Sequence, residues 1–168
     1  MTNLKNTYTN IHGKKYLFEY VDVDSFDNID HKKCTQTIGF AFNGDKMILV
    51  NNTTNPNEFK PLGGSVEDGE HIDEALIREI KEESNMKVLD FKPLGYQIVT
   101  DEEGKDEPYY QLRYYCKVEP YGPFLGDPDG DVTEVLEIDP ADYKKYFDWG
   151  EIGDALMDKA LRIKNNLK

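Results

Sequence analysis

Three carboxylates crowd one short stretch of this chain. Glu79, Glu82 and Glu83 stand at i, i+3 and i+4, which on a helix is one face with neighbouring Cβ atoms about 5–6 Å apart. Like charges so placed repel one another. A hard divalent cation between them reverses the sign of that interaction, because such ions prefer carboxylate oxygen. Arg78 stands next to these acids, Glu70 comes before it, and Gly63-Gly64 precedes both. Glycines let a backbone approach a metal or a phosphate closely. The chemistry this combination suits is the holding of a hard divalent cation. Magnesium keeps several of its waters, so a few carboxylates on one rigid helix suit it.

The elements that must hold these groups can be read around them. In residues 72–84, Ile72, Ala75, Leu76 and Ile80 recur on a 3.6-residue period, which predicts a helix with one face on a sheet. The carboxylate face adjoins that apolar face, so the acids belong at the rim of the core, where a cleft can form. Asn85 follows the last turn and tolerates the left-handed conformation that often ends a helix. Upstream, residues 1–13 are polar and read as loosely ordered, and 16–23 read as a strand. Residues 35–42 and 47–50 form a hairpin about Asn43-Gly44. Residues 51–58 read as a polar loop and 59–62 as a short extended piece. Downstream come a strand over 88–100 bent at Pro93 and Gly95, a charged turn over 101–108, an aromatic strand over 109–118 and a loop over 120–131. A strand over 132–138, a short helix from Pro140 to Phe147 and a helix over 150–167 complete the chain. Several strands with two separated helices suggest an α/β architecture, a mixed sheet covered on both faces.

The order Gly64, five residues, Glu70, seven residues, then Arg78-Glu79-Ile80-Lys81-Glu82-Glu83 resembles the Nudix box, here residues 64–86. The chain is similar in this respect to Nudix (MutT-like) hydrolases. One specified position departs: Asn85 stands where the box has its last glycine, and Met86 fills the aliphatic place. The resemblance implies an α/β/α sandwich with a mixed sheet. It also implies divalent-metal-dependent hydrolysis of a nucleoside diphosphate linked to another group, with magnesium as cofactor and manganese able to substitute. In family terms Glu79, Glu82 and Glu83 are metal ligands and the Gly63 carbonyl completes the set. Arg78 holds the box carboxylates in place, and Glu70 supports the helix start. Glu79 is one candidate general base; members also recruit a loop carboxylate, for which Glu102, Glu103, Glu107 and Glu119 compete. Reach to the attacking water decides among them. The alternative is a nucleotide-sensing, non-catalytic Nudix-fold binding protein, against which the complete carboxylate set weighs.

The remaining composition narrows the function class. A chain of 168 residues with a net charge of -13 is a poor partner for nucleic acid, whose phosphates reward clustered Lys and Arg. Residues 1–15 lack the apolar core of a signal peptide and no run is long enough to span a membrane. Cys34 and Cys116 are isolated and read as reduced thiols. We therefore expect a soluble cytoplasmic protein. Residues 1–168 read as a single domain, with 1–33 an N-terminal extension adding a strand. The expected partner is a small nucleotide-type diphosphate. Phe59, Lys60 and Arg113 are candidate substrate contacts, for which sheet packing and a surface ion pair are the plainer readings. Of Tyr109, Tyr110, Tyr114 and Tyr115, at most half can face one pocket, and core packing is favoured. Asp127, Asp129 and Asp131 open like a calcium loop, but Val132 stands where that loop needs glycine. His71 reads as a solvated helix start. The N-terminal and aromatic strands offer an edge for a homodimer.

Overall fold

The computed structural model describes residues 3–132 and 134–166. Its first feature is a hairpin: Lys5–Thr9 (β1) pairs antiparallel with Lys15–Asp22 (β2). A loosely ordered start is thus corrected for residues 3–13, while residues 1–2 lie outside those described. The segment is polar because β1 lies at the sheet edge with most of its side chains exposed, so burial leaves no apolar trace in the sequence. Next come Cys34–Asn43 (β3) and Lys46–Asn52 (β4). Their turn is Gly44-Asp45, one residue later than Asn43-Gly44, since Asn43 pairs with Lys46 and Gly44 takes the positive φ of 57°. The polar stretch after it is a strand, Asn55–Lys60 (β5), antiparallel to β4. It is largely exposed, so its polarity reads as a loop. Leu62–Ser65 (β6) then lies against β3.

Ile72–Ser84 (α1) has the bounds its periodicity predicts, and Asn85 ends it at φ 55°, ψ 37°. Met86–Asp101 (β7) shifts register at Val88/Asp90 and Pro93/Gly95 as it pairs with Tyr109–Pro120 (β8). Val135–Ile138 (β9) pairs with β4, a 3-10 turn spans Pro140–Lys145, and Gly150–Asn166 (α2) closes the described chain.

The sheet runs β1-β2-β7-β8-β3-β4-β5, with β6 on β3 and β9 on β4. Only the β3–β8 pairing is parallel among these. Period-2 alternation divides the core. Ala41, Leu112, Tyr114 and Cys116 face Ile72, Leu76 and Ile80 of α1. Ile38, Phe40, Phe42 and Tyr115 face Ile152, Leu156 and Ala160 of α2. The result is the α/β/α sandwich. Gly39 sets the spacing on the α1 side: a Cβ there would lie 2.9 Å from Cys116 Sγ and 3.1 Å from Ile80 Cδ1. On the other side the buried Lys159 of α2 donates to the Val23 and Leu94 carbonyls at 3.0 and 2.9 Å and pairs with Asp22 and Asp24.

The aromatic strand is interior, flanked by β7 and β3, and β2 is covered by β1. The sheet therefore ends at β1 and β5 rather than at the two strands expected there. No helix among the described residues is long and apolar enough to cross a membrane. Both cysteines are free and buried.

Candidate active site

A cleft of about 340 Å³ opens where β6, the inner face of α1 and residues 127–132 meet. Local sequence explains its floor. Gly63 adopts φ 149°, and a Cβ there would sit 2.0 Å from the Thr37 carbonyl oxygen. Gly64 presses on the acids: its Cβ would lie 2.5 Å from Glu79 Cδ. The glycine pair therefore brings backbone within touching distance of the carboxylates, which no other residue permits.

Arg78 organises the acids. Its Nε donates to Glu70 Oε2 at 2.7 Å and its Nη2 to Glu70 Oε1 at 3.0 Å, a two-pronged pair. Nη1 donates to Glu79 at 3.0 Å and to Glu82 at 3.3 Å, and Nη2 also donates to the Ser65 carbonyl at 3.0 Å. Glu70 accepts the Glu67 N–H as well, at 3.1 Å, closing the turn before the helix. The Arg78 hydrogen bonds hold the Glu70 carboxyl below the usual carboxylate range. His71 caps α1, its Nδ1 accepting from the Asp73 N–H at 3.2 Å, so it does more than face solvent.

Glu83 differs from its neighbours. It is 7% exposed and accepts the Gly63 N–H at 2.7 Å. Burial pushes its carboxyl up to about 8, opposed by the Gly63 N–H and Lys60 and reinforced by Glu79 and Asp127. Burial also raises Glu79, with Arg78 working against it. Around these groups the cleft sets six carboxylates, Glu67, Glu79, Glu83, Asp127, Asp129 and Asp131, against Lys60 and Arg78.

That donor set fits a hard divalent cation, because uncompensated carboxylates at a glycine-floored cleft are what such an ion stabilises. Glu79, Glu83 and the Gly63 backbone are in position to hold it. Glu82 does not line the cleft and joins it through Arg78. Among the described residues no three His, Cys, Asp or Glu side chains already converge as a closed ligand set.

Glu102, Glu103, Glu107 and Glu119 line none of this cleft. Asp127, Asp129 and Asp131 do. Asp127 folds their loop by accepting the Asp129, Asp131 and Val132 N–H groups at 3.0, 3.1 and 3.1 Å. The alternating acids of residues 127–131 are the sequence signal for this loop. Asn85 helps bring the loop in. Its Nδ2 donates to the Pro123 carbonyl at 2.9 Å, a bond the usual box glycine cannot make.

Of the candidate substrate contacts, Lys60 lines the cleft. Phe59 lies beside it in a cavity of about 620 Å³ with Tyr146 and Trp149. Arg113 is on the α2 side of the sheet, in neither space. It is 5% exposed and has no ion pair among the described residues, which overturns the surface ion pair. Tyr114 and Tyr115 are core residues on opposite faces, and Tyr110 packs on Tyr96 with ring centroids 5.0 Å apart.

An α/β/α sandwich with a glycine-floored, arginine-braced acidic cleft defines a Nudix-type protein. A family model described as NUDIX domain matches residues 33–158, and the chain belongs to that family, the MutT-like Nudix hydrolases. Solved structures agree on the fold. A mutant form of the Bacillus subtilis pyrophosphohydrolase BsRppH superposes with a TM-score of 0.68 at 18% identity, over 94% of this chain and 96% of that one. A NUDIX hydrolase from Nitrosomonas europaea gives 0.58 at 17% identity over 76% and 86%. The MutT protein from Bacillus halodurans gives 0.53 at 20% identity over 71% and 76%. No curated protein matches in sequence.

Proposed function

We propose that this chain is a divalent-metal-dependent Nudix hydrolase that cleaves the diphosphate bond of a nucleoside diphosphate linked to another group. The observation that carries this is the Arg78-braced set of Glu70, Glu79 and Glu82 beside the buried Glu83, on a floor of Gly63 and Gly64. The similarity to a pyrophosphohydrolase supports the bond class. Magnesium, with manganese able to substitute, is the expected cofactor; when bound it neutralises phosphate charge and lowers the pKa of its water. Glu79 and Glu83 with the Gly63 carbonyl would hold it, with Glu82 joined to them through Arg78. Arg78 keeps the carboxylates oriented, so that little reorganisation is needed at the moment of reaction. Lys60 offers a cation to the substrate's phosphates. Asp127, Asp129 and Asp131 join Glu79 as candidate bases, since they lie on the cleft wall. We place the activity in the cytoplasm, where two unpaired thiols remain reduced.

The test is a hydrolysis screen across nucleoside triphosphates, dinucleoside polyphosphates, ADP-ribose and nucleotide sugars, with magnesium, manganese and chelator. Cleavage with either metal, lost in chelator and reduced at least about 100-fold by Glu82→Gln and Glu83→Gln, is expected. Tight nucleotide binding with no turnover would instead make this a sensor.

A further inference from the structure

Arg113 is the most conspicuous charge that the cleft leaves unused. It comes from β8 on the α2 side, is 5% exposed, and lines a cavity of about 450 Å³ between the β1–β2 hairpin and the start of α2. Its hydrogen bonds go to neutral acceptors: Nη1 to Gln36 Oε1 at 3.1 Å and to its neighbour's carbonyl, Leu112 O, at 3.2 Å, and Nη2 to Gln111 Oε1 at 3.1 Å. Gln97 donates to the same Gln111 oxygen at 3.1 Å, fixing that amide. Among the described residues Nε has no partner, and one hydrogen of Nη2 is unspent. The guanidinium lies 5.6 Å from the Trp149 ring centroid. A buried cation solvated by amides alone is costly. Its surroundings hold it still without neutralising it, which is the arrangement of a group kept for a ligand.

The cavity is also connected to the chemistry. Trp149 and Asp148 wall both it and the aromatic cavity at Phe59. Asn52 and Lys60 in turn wall both that aromatic cavity and the carboxylate cleft. Shared walls thus link the cleft to the Arg113 cavity by way of Lys60 and Trp149. Asp148, the one carboxylate on this cavity, accepts the Gly150 N–H at 2.9 Å at the start of α2.

We propose that Arg113, held by Gln36 and Gln111, is a specificity-determining residue that reads an acceptor-only oxygen edge on the part of the substrate remote from the diphosphate. This rests on the hydrolase assignment above for the identity of that substrate. A guanidinium only donates, so it pairs with a phosphate or with the carbonyl edge of an oxo base. The amino group that adenine or cytosine presents is itself a donor and is turned away. The two sources share one chemistry and separate in the experiment.

Affinities are measured by calorimetry with magnesium, using non-hydrolysable methylene analogues so that binding is read whether or not the chain turns over. One arm compares guanosine with adenosine and uridine with cytidine analogues. The other compares matched nucleotides with and without an extra ribose phosphate. Wild type is expected to favour the oxo base or the extra phosphate by about 10-fold or more. Arg113→Gln collapses that ratio. Arg113→Lys, which keeps the charge but loses the fork, restores part of the phosphate preference and little of a base preference. Gln111→Leu, which frees the guanidinium without removing it, lowers the ratio in the same direction. Because each ratio is taken within one variant, partial misfolding does not alter it. Equal affinities in both arms, or a preference that survives Arg113→Gln, overturn the proposal. Binding with an intact Arg113-dependent ratio but no turnover of any true substrate overturns the hydrolase assignment and leaves this one standing.

Discussion

At the scale of single residues, the two glycines before the helix do different work. A Cβ on Gly63 meets backbone, the Thr37 carbonyl oxygen at 2.0 Å, whereas one on Gly64 meets the tip of a flexible side chain, Glu79. Gly63→Ala should therefore lower Tm, by the equivalent of roughly 1–3 kcal/mol or more. Gly64→Ala should leave Tm nearly unchanged and reduce kcat/KM about 100-fold, because displacing a positioned carboxylate by about 1 Å is enough. Thermal melts and steady-state kinetics on the pair check this, and equal effects on both variants would refute it. Glu83 gives a second residue-scale prediction. Burial pushes its carboxyl up to about 8, against an ordinary value of 4.5. The native state thus binds more protons than the unfolded chain between those values. Metal-free stability should fall as pH rises through that window, with the loss complete above it. Tm in chelator at about pH 5, 6.5 and 8 should show a slope that Glu83→Gln reduces; an unchanged slope contradicts the assignment.

At the scale of elements, α1 is positioned by what lies beneath it. Gly39 of β3 allows Leu76 and Ile80 to seat against the sheet, with the closest approach at Cys116 Sγ. This contact fixes how far the α1 carboxylates stand from β6, since β6 also pairs with β3. Gly39→Val should cost about 1–3 kcal/mol by overpacking. It should also lower activity, although the residue touches neither cleft nor substrate. Chemical denaturation and kinetics test the two effects together, and a fully active Gly39→Val variant would show that α1 is held by its cap and loop instead. At the far end of the helix, Asn85 ties α1 to the loop that carries Asp127, Asp129 and Asp131. One helix thereby gathers the glycine floor and the aspartate wall around its own acids.

At the scale of the whole molecule, a net charge of -13 is both a property of the surface and a property of the site. Self-repulsion destabilises a compact state and is screened by salt. Raising sodium chloride from about 0.02 M to 0.5 M should raise Tm by a few degrees, roughly 1 kcal/mol. Magnesium at about 1 mM contributes little to bulk screening, so any stabilisation it gives reports site binding. That gain should be present in wild type and absent in Glu83→Gln. A magnesium effect no larger than that of sodium at matched ionic strength would mean that the cleft binds no cation.

The sequence by itself determined the helix from Ile72 to Ser84, its left-handed end at Asn85 and the carboxylate set upon it. These depend on interactions within about four residues, and a helix converts fixed spacing directly into a shared face. It also indicated the mixed sheet covered on both faces, through the alternation and periods of its apolar residues. It misread β1 and β5, because exposed edge strands carry no apolar alternation. Only the tertiary structure decided which loop acids reach the cleft. Asp127, Asp129 and Asp131 arrive there, and Glu102, Glu103, Glu107 and Glu119 do not, through pairings between segments far apart in the chain. The parallel β3–β8 ladder, which buries the aromatic strand in the middle of the sheet, likewise turned Arg113 to the opposite face from the acids of α1. Such contacts depend on the burial of every segment at once, and no local spacing records them.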